Sequence, residues 1–312
     1  MPNDSALIVP HELLILGAAV KTGLLDALRN KPMEVDELAL VIKADARAVW
    51  VVCEALAALG YLSRENGVLQ LTKDASEMLY DPDAPNYTGI SFMHRYNLLH
   101  TWSHLPEVIF SGKPHPRERG PEGTKYFMAA MNHNSRKSAP AIAAFCLEGQ
   151  GKGARVLDIG GGPLTYARSF AALGAKVTVL DLPDVVDYMT PSLQGVEGIE
   201  MVPGDFNVGL PSGPFDLAYL GNICHIFGES ENRELFKKVA GVLAPGARIA
   251  IVDFIRGTQP MAAIFGVNML VNTQNGDTWT YDQYAAWLGD AGLIRVQLHV
   301  AAGCQLLLAE KS

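Results

Sequence analysis

The chain contains few cysteines, no excess of basic residues and no long uncharged apolar run. Its four cysteines, Cys53, Cys146, Cys224 and Cys304, are scattered through 312 residues without the spacing of a metal or redox motif. We therefore expect reduced thiols rather than a disulfide framework. Acidic residues outnumber basic ones by 33 to 25, and the formal net charge is -8. This balance argues against a polyanionic partner such as a nucleic acid.

Membrane insertion and secretion are not indicated either. The apolar stretch of residues 13–20 is too short to cross a bilayer, and Glu12 precedes it where a signal peptide would have basic residues. We expect a soluble, cytoplasmic protein with no membrane partner. Hydrophobic residues make up 49% of the chain and charged residues 19%, which is sufficient for a packed core, and the length favours two domains.

The most informative segment covers residues 154–181. Residues 155–159 form an apolar run of strand length, three glycines follow at once, and a helical pattern leads to a second strand that ends in Asp181. This order is typical of the nucleotide-binding half of a doubly wound α/β sheet. Gly160 and Gly162 allow a ligand to approach the backbone, and Asp181 lies where an acid accepts hydrogen bonds from both ribose hydroxyls. We therefore expect a ribose-bearing cofactor.

Two details distinguish between cofactors. A dinucleotide site has a third glycine three residues after the second, for close helix packing, and Thr165 occupies that position after Gly162. Asp158, just before the loop, would repel a pyrophosphate but suits the ammonium group of S-adenosylmethionine (SAM). The D-x-G-x-G pattern of Asp158, Gly160 and Gly162 resembles motif I of the class I SAM-dependent methyltransferases. A purely structural strand-to-helix turn is the alternative.

The N-terminal region, residues 1–85, has apolar residues at helical spacing followed by a hairpin that is predicted to turn at residues 65–67. Helices followed by such a ribbon indicate a winged helix, a fold often associated with DNA. The helix in the recognition position, residues 46–59, offers only Arg47, whereas phosphate binding needs several cations on one face. We therefore expect a winged-helix dimerisation domain that binds no nucleic acid.

Two further regions complete the predicted domain organisation. Residues 86–147, which are rich in proline, glycine and aromatic residues, are expected to form a helical connector that contributes to a substrate pocket. In residues 148–312, strand and helix signals alternate and end in an antiparallel pair. The predicted fold class is α/β, a doubly wound, mostly parallel Rossmann-like sheet with an N-terminal helical winged-helix domain. We expect the last region to be a SAM-binding methyltransferase domain.

The segment of residues 215–254 extends the resemblance. It is similar to the core of the small-molecule O-methyltransferases of the caffeic acid and acetylserotonin type, which pair this domain with an N-terminal winged-helix dimerisation domain. The resemblance covers nearly the whole chain. It implies SAM as cofactor, S-adenosyl-L-homocysteine as product, a homodimer, and methyl transfer to a hydroxyl of a small, aromatic molecule.

The resemblance also implies roles for individual residues. A histidine after the fourth strand of these enzymes removes the proton from the substrate hydroxyl, and an acid at the end of the fifth strand orients it; His225 and Asp253 occupy these positions. Imidazole titrates near neutral pH, as a general base requires. A structural histidine and an acid that only caps a turn are the alternatives. The implied cofactor residues are Asp158, Gly160, Gly162, Asp181, Leu182, Asp205 and Phe206.

Within that set, Asp205 would bind the adenine amino group and Phe206 would pack against the ring, although Asp205 could also simply cap a turn. Leu164 stands where motif I usually ends in glycine, and Thr278 where many relatives have a second acid beside the histidine. Because the surroundings of His225 are altered in this way, the alternative function is a protein of this fold that binds SAM or a ligand without classical O-methylation.

Two other groups of residues lie in the connector. Tyr96, Trp102, Phe127 and Met131 belong to an apolar and aromatic set that could line a pocket for a flat substrate, or equally a core or dimer interface. His100 and His104 are spaced to share a helix face, with His94 nearby. Since no third ligand follows at a defined spacing, we expect no metal site.

Overall fold

The structure, a computed structural model, describes residues 9–116 and 120–312. Residues 1–8 of the predicted N-terminal domain and residues 117–119 of the predicted connector lie outside this part of the chain. No helix within the described part is both long enough and apolar enough to span a membrane.

The described chain divides into two compact units. The first consists of residues 9–99 and 125–130, and the second of the described residues in the ranges 100–124 and 131–312. The region predicted as a connector therefore has residues in both units. The domain boundaries expected at residues 85 and 147 stay predictions.

The first unit begins with helices and a β-hairpin. In chain order these elements are α1 (His11–Lys21), α2 (Leu24–Asn30), α3 (Val35–Ile42), α4 (Ala46–Ala58), β1 (Leu62–Glu65), β2 (Val68–Leu71) and α5 (Lys73–Tyr80). The side chains of Asp45 and Thr72 cap α4 and α5, because each accepts a hydrogen bond from a backbone N–H of the first turn. The hairpin turns through Asn66 and Gly67, which both have positive φ, as the sequence predicted.

The remaining elements alternate between strand and helix through most of the second unit. The helices after residue 90 are α6 (Phe92–Trp102), α7 (Leu105–Ser111), α8 (Pro121–Ser135), α9 (Ala139–Cys146), α10 (Thr165–Ala172), α11 (Pro183–Met189), α12 (Glu229–Val242), α13 (Pro260–Asn272) and α14 (Tyr281–Asp290). The strands are β3 (Arg155–Ile159), β4 (Lys176–Asp181), β5 (Ile199–Pro203), β6 (Phe215–Gly221), β7 (Leu243–Val252), β8 (Leu293–Ala301) and β9 (Cys304–Lys311).

These strands form one seven-stranded sheet in the order β5-β4-β3-β6-β7-β9-β8. The first five are parallel, and β9 runs antiparallel to both β7 and β8. The predicted α/β class with a mostly parallel sheet is therefore confirmed. From β3 the chain adds β4 and then β5 along one side of the sheet, and it then crosses to the other side of β3 to form β6. Ligands of such sheets bind where the strand order reverses, beyond the carboxyl ends of the strands.

Strand β7 contains a proline and a glycine near its start. It begins at Leu243, two residues before Pro245 and Gly246. Its pairing with β6 shifts register between Phe215 and Leu217, and Gly246 has φ +73°. The irregularity lets the chain pass through the proline and glycine without leaving the sheet.

Candidate active site

The glycine loop between β3 and α10 lies close to the neighbouring strands. Gly160 has φ +67°, and its N–H donates to the carbonyl of Leu180 at 2.8 Å. A Cβ atom at Gly160 would lie 2.3 Å from Cδ1 of Ile223, and one at Gly161 would lie 2.6 Å from Oδ2 of Asp158. Both positions therefore require glycine, and the loop backbone is held at the carboxyl edge of the sheet.

Leu164 closes the loop in a conformation that glycine adopts more easily. It directly precedes α10, has φ +64°, and its side chain is completely buried, packed in a cluster with Ala167 and Phe170. The left-handed region is unfavourable for a residue with a Cβ by about 1–2 kcal/mol. Burial of a leucine side chain contributes about 1.5–3 kcal/mol in the opposite direction. Apolar packing thus offsets the backbone strain.

Leu164→Gly is accordingly expected to lower the free energy of unfolding by about 2 kcal/mol, since the loss of a buried leucine outweighs the relief of backbone strain. Urea titration followed by circular dichroism measures the change. Asn66→Gly is the matched control, because Asn66 also has positive φ but is exposed; its stability should stay the same or rise. A more stable Leu164→Gly variant would contradict this account of the loop.

Asp158 is a buried carboxyl group on β3. Its side-chain oxygen Oδ2 has no hydrogen-bond partner among the described residues, and the residue is only 1% exposed. Burial raises the pKa of Asp158 to about 8, and nearby Asp181 contributes in the same direction. A buried carboxylate is stable only if it is paired. The position therefore fits a cationic group of a ligand, such as the ammonium group of SAM.

Asp181 at the end of β4 is held by two backbone donors. The N–H of Gly162 lies 2.8 Å from Oδ2, and the N–H of Leu182 lies 2.8 Å from Oδ1. Burial raises the pKa of Asp181, and the two N–H donors oppose that rise. An ionised carboxylate has about four acceptor positions, so this side chain can accept two further hydrogen bonds. Leu182 is half exposed beside it.

Asp205 and Phe206 lie in the turn after β5. Oδ1 of Asp205 accepts the N–H of Asn207 at 2.8 Å, which is the turn cap that the sequence suggested as an alternative. The ring of Phe206 packs edge-on against Phe227 with centroids 5.4 Å apart. It also lies 3.9 Å from the place where a Cβ of Gly160 would be. The structure therefore brings Phe206 to the glycine loop.

His225 lies in a short 3-10 turn, Cys224–Ile226, immediately after β6. Its Nδ1 is 2.6 Å from Oδ1 of Asp253, and its backbone N–H donates to Oδ2 of Asp253 at 3.1 Å. The two residues meet because β6 and β7 are parallel neighbours whose last residues pair. These contacts with the carboxylate determine the orientation of the histidine ring. Solvent hardly reaches the ring, because His225 is only 5% exposed.

Asp253 accepts two further hydrogen bonds. Oδ1 accepts the N–H of Phe254 at 2.7 Å, and Oδ2 accepts the hydroxyl of Tyr284 at 3.1 Å. Burial and the charge of Asp253 raise the pKa of Tyr284 well above its usual value, so the tyrosine remains a donor. The sequence reasoning did not include Tyr284, because it lies on α14, far along the chain, and no local pattern marks it.

Aromatic side chains surround the histidine ring. Phe254 and Phe265 are stacked with centroids 4.1 Å apart, and the ring centroids of Phe265 and His225 are 4.8 Å apart at an angle of 79°. Neither phenylalanine was a sequence candidate, although Phe254 directly follows Asp253. These rings make the surroundings of His225 apolar on one side.

Thr278 supplies no charge to this group. Its hydroxyl is buried and donates to the carbonyl of Ala262 at 2.9 Å, while the hydroxyl oxygen of Thr278 itself accepts from Nε of Arg256 at 3.3 Å. The guanidinium of Arg256 in turn pairs with Asp277. The departure noted in the sequence therefore places a neutral, fully hydrogen-bonded side chain at this position.

The four predicted pocket residues divide between the two units. Tyr96 packs against the core of the first unit, and Phe127 belongs to the same unit. Trp102 and Met131 belong to the second unit, where the indole N–H of Trp102 donates to Asn268 at 3.1 Å. The pocket that these residues were expected to line stays a prediction.

Comparisons with known proteins agree with this architecture. A family model described as an O-methyltransferase domain matches residues 110–294. The chain is 25% identical to the tetracenomycin polyketide synthesis 8-O-methyl transferase TcmO of Streptomyces glaucescens. The 304 aligned residues cover 92% of this chain and 89% of that protein. It is 28% identical over 305 residues to a 3-hydroxy-5-methyl-1-naphthoate 3-O-methyltransferase of Streptomyces sahachiroi, with 90% and 86% covered.

A solved structure extends the similarity to the fold of the whole chain. Human N-acetylserotonin methyltransferase in complex with SAM superimposes with a TM-score of 0.76 at 22% identity, covering 97% of this chain and 94% of that chain. The matched family domain includes the glycine loop, Asp181, His225 and Asp253. The chain therefore belongs to the SAM-dependent O-methyltransferase family.

Proposed function

We propose that this protein transfers the methyl group of SAM to a hydroxyl of a small aromatic molecule, with His225 as the general base. The observation that carries the proposal is the 2.6 Å contact between Nδ1 of His225 and Oδ1 of Asp253. Nδ1 donates in this pair, so the other ring nitrogen, Nε2, keeps a lone pair that can accept a proton.

The cofactor would be held along the carboxyl edge of strands β3, β4 and β5. Asp158, with its unpartnered buried oxygen, would bind the ammonium group, and Asp181 would accept hydrogen bonds from the ribose hydroxyls. The glycine loop, at the carboxyl edge of the sheet, would bring its backbone N–H groups to the cofactor. Asp205 and Phe206 would contact the adenine amino group and ring, and Leu182, next to Asp181, would also contact the cofactor.

When bound, SAM supplies a methyl carbon on a sulfonium that is already primed for in-line attack. The chain then has two tasks, alignment of the acceptor oxygen and removal of its proton. His225 would accept that proton at Nε2, and the imidazolium that forms would be stabilised by the carboxylate of Asp253. Tyr284 and the N–H of Phe254 hold that carboxylate in place.

An aromatic acceptor is supported by two observations. Phe254 and Phe265 are stacked next to His225 and offer flat apolar surface at the base, a typical lining for an aromatic ligand. One similar protein is named for a hydroxynaphthoate substrate. The neutral Thr278 favours the second candidate, SAM binding without methyl transfer, since no second acid supports His225 there.

A turnover assay separates the two functions. The protein should convert labelled SAM to S-adenosyl-L-homocysteine in the presence of at least one member of a panel of phenols, naphthols and hydroxyindoles, with an equal amount of methyl ether found by mass spectrometry. The same aromatic compounds without the hydroxyl are matched controls and should accept no methyl group. Tight SAM binding by calorimetry without turnover on any acceptor would favour the second candidate.

We also propose that the protein is a homodimer and that the first unit is a winged-helix dimerisation module. Helices α3 and α4 followed by the β1–β2 hairpin support the winged-helix assignment. The same two helices expose large apolar side chains: Leu40 is 80% exposed and Trp50 is 50% exposed. Apolar surface of this kind is typical of a site that another protein covers.

Light scattering should therefore find the full-length protein to be a dimer at micromolar concentration. Leu40→Glu should shift it toward the monomer, because a charged side chain would be buried in the interface. Val208→Glu is the matched control, since Val208 is 84% exposed in the second unit; it should leave the mass unchanged. A full-length chain that is monomeric would refute the dimer.

A further inference from the structure

Three histidines outside the proposed active site converge near α7. His100 lies in the last turn of α6, His104 lies four residues later directly before α7, and His115 lies in the segment that follows α7. One ring nitrogen of each lies within 4.8 Å of those of the other two. All three residues belong to the second unit.

The backbone explains why these side chains meet. The N–H of His104 donates to the carbonyl of Thr101, and the N–H of Val108 donates to the carbonyl of His104, so the helical path is nearly continuous and His100 and His104 share one side. After α7, Gly112 takes φ +64° and turns the chain, which then brings His115 back to the other two histidines.

The rings themselves are in contact. His104 and His115 are stacked with centroids 3.7 Å apart and an angle of 5°, and His100 meets both rings edge-on at 5.0 and 5.7 Å. His94, the neighbour considered from the sequence, packs instead against Phe127 in the first unit. The third histidine of the cluster, which the sequence spacing did not reveal, is therefore His115.

We propose that His100, His104 and His115 bind one divalent transition-metal ion of the Zn²⁺ type, with a fourth position open to water. Imidazole nitrogens suit Zn²⁺, Co²⁺, Ni²⁺ and Cu²⁺, whereas Mg²⁺ and Ca²⁺ prefer oxygen ligands. Three protein ligands with an open fourth position are an established arrangement for zinc. The proposal departs from the expectation of no metal site, and it is independent of the methyl-transfer function.

Binding of an ion requires the three ring nitrogens to move closer together and the stacked rings of His104 and His115 to turn toward a common point. Zinc–nitrogen bonds of about 2.1 Å in a tetrahedron place the ligand atoms about 3.4 Å apart. The distances between the ring nitrogens, which are at most 4.8 Å, therefore have to shorten. His100 is exposed and the other two are partly exposed, which leaves their side chains free to rotate and gives the ion access from solvent. The bound ion would connect the end of α6 to the segment after α7.

Metal binding is tested on the full chain by equilibrium dialysis with Zn²⁺ and elemental analysis, and independently by the visible absorption of bound Co²⁺. The wild type should bind one Zn²⁺ per chain. His100→Ala, His104→Ala and His115→Ala should each lose at least about tenfold in affinity, because removal of a ligand is more severe than loss of an outer partner. His11→Ala, at an exposed histidine of α1, should bind like the wild type.

A second measurement follows the effect of the ion on stability. Zn²⁺ should raise the thermal midpoint of the wild type and of His11→Ala, because a ligand of the folded state stabilises it by mass action. It should not raise the midpoint of the three ligand variants. Unchanged circular dichroism and unchanged SAM affinity establish that the variants are folded, and His115→Asn replaces His115→Ala if that variant fails this criterion. Absence of Zn²⁺ binding by the wild type, or equal binding by the wild type and all three variants, overturns the proposal.

Discussion

Replacement of His225 by alanine is expected to slow methyl transfer by about 10²- to 10⁴-fold, the usual contribution of a positioned general base. The affinity for SAM should change little, because the histidine is assigned to the acceptor hydroxyl rather than to the cofactor. Single-turnover kinetics with labelled SAM measure the rate, and calorimetry measures the affinity. Chemistry and cofactor binding should therefore separate in this variant.

The acceptor provides an internal control for the same variant. A phenol ionises without help near pH 10, so raising the pH should partly restore the rate of His225→Ala with a phenolic acceptor. An acceptor with an aliphatic hydroxyl should show no such recovery. His11→Ala, which changes an exposed histidine, should keep the wild-type rate. Methyl transfer by His225→Ala at the wild-type rate would show that alignment alone, or another residue, carries the reaction.

Asp158→Asn is expected to stabilise the protein without SAM by about 4 kcal/mol at pH 7, because each pH unit between the ordinary pKa and pH 7 contributes about 1.4 kcal/mol. The ordinary pKa is 3.8, and burial raises it to about 8 in the folded state. The folded protein must therefore keep Asp158 protonated while the unfolded chain ionises it. An amide resembles the protonated carboxyl and carries no such penalty.

The pH dependence gives the sign of this effect. Between about pH 4 and pH 8 the folded state binds the extra proton, so Asp158 makes the free energy of unfolding fall as the pH rises through this window. The difference between the wild type and Asp158→Asn should therefore vanish below pH 4 and grow toward pH 8. Urea titrations at several pH values measure it. Asp187→Asn, at an exposed acid, should stay within about 0.5 kcal/mol of the wild type.

The same substitution should weaken SAM binding. At pH 8 the loss should be about tenfold or more, since a hydrogen bond to a charged group contributes about 1.5–3 kcal/mol. Wild-type affinity should rise with pH between 6 and 8, because the ammonium group pairs with the carboxylate and binding releases the proton of Asp158. Asp158→Asn should show no such rise. If the variant binds SAM as tightly as the wild type, Asp158 does not contact the cofactor.

The sequence alone was sufficient wherever a local rule determined the structure. The glycine loop was recognisable because positive φ at Gly160 and the absence of a Cβ at Gly161 are properties that glycine alone provides easily. Asp181 was recognisable because it ends a strand shortly after that loop. The β1–β2 hairpin and the alternation of strands with helices followed from side-chain periodicity, which depends only on neighbouring residues.

The tertiary structure decided the contacts between distant segments. The group of His225, Asp253 and Tyr284 joins a turn, a strand end and a helix, and the pairing of β6 with β7 is what places the first two together. His115 reaches His100 and His104 through a turn of the chain rather than at a helical spacing. The high pKa of Asp158 depends on the surrounding sheet. Periodicity and motif spacing describe near neighbours in the chain, whereas packing, desolvation and strand order determine which remote side chains share one dry environment.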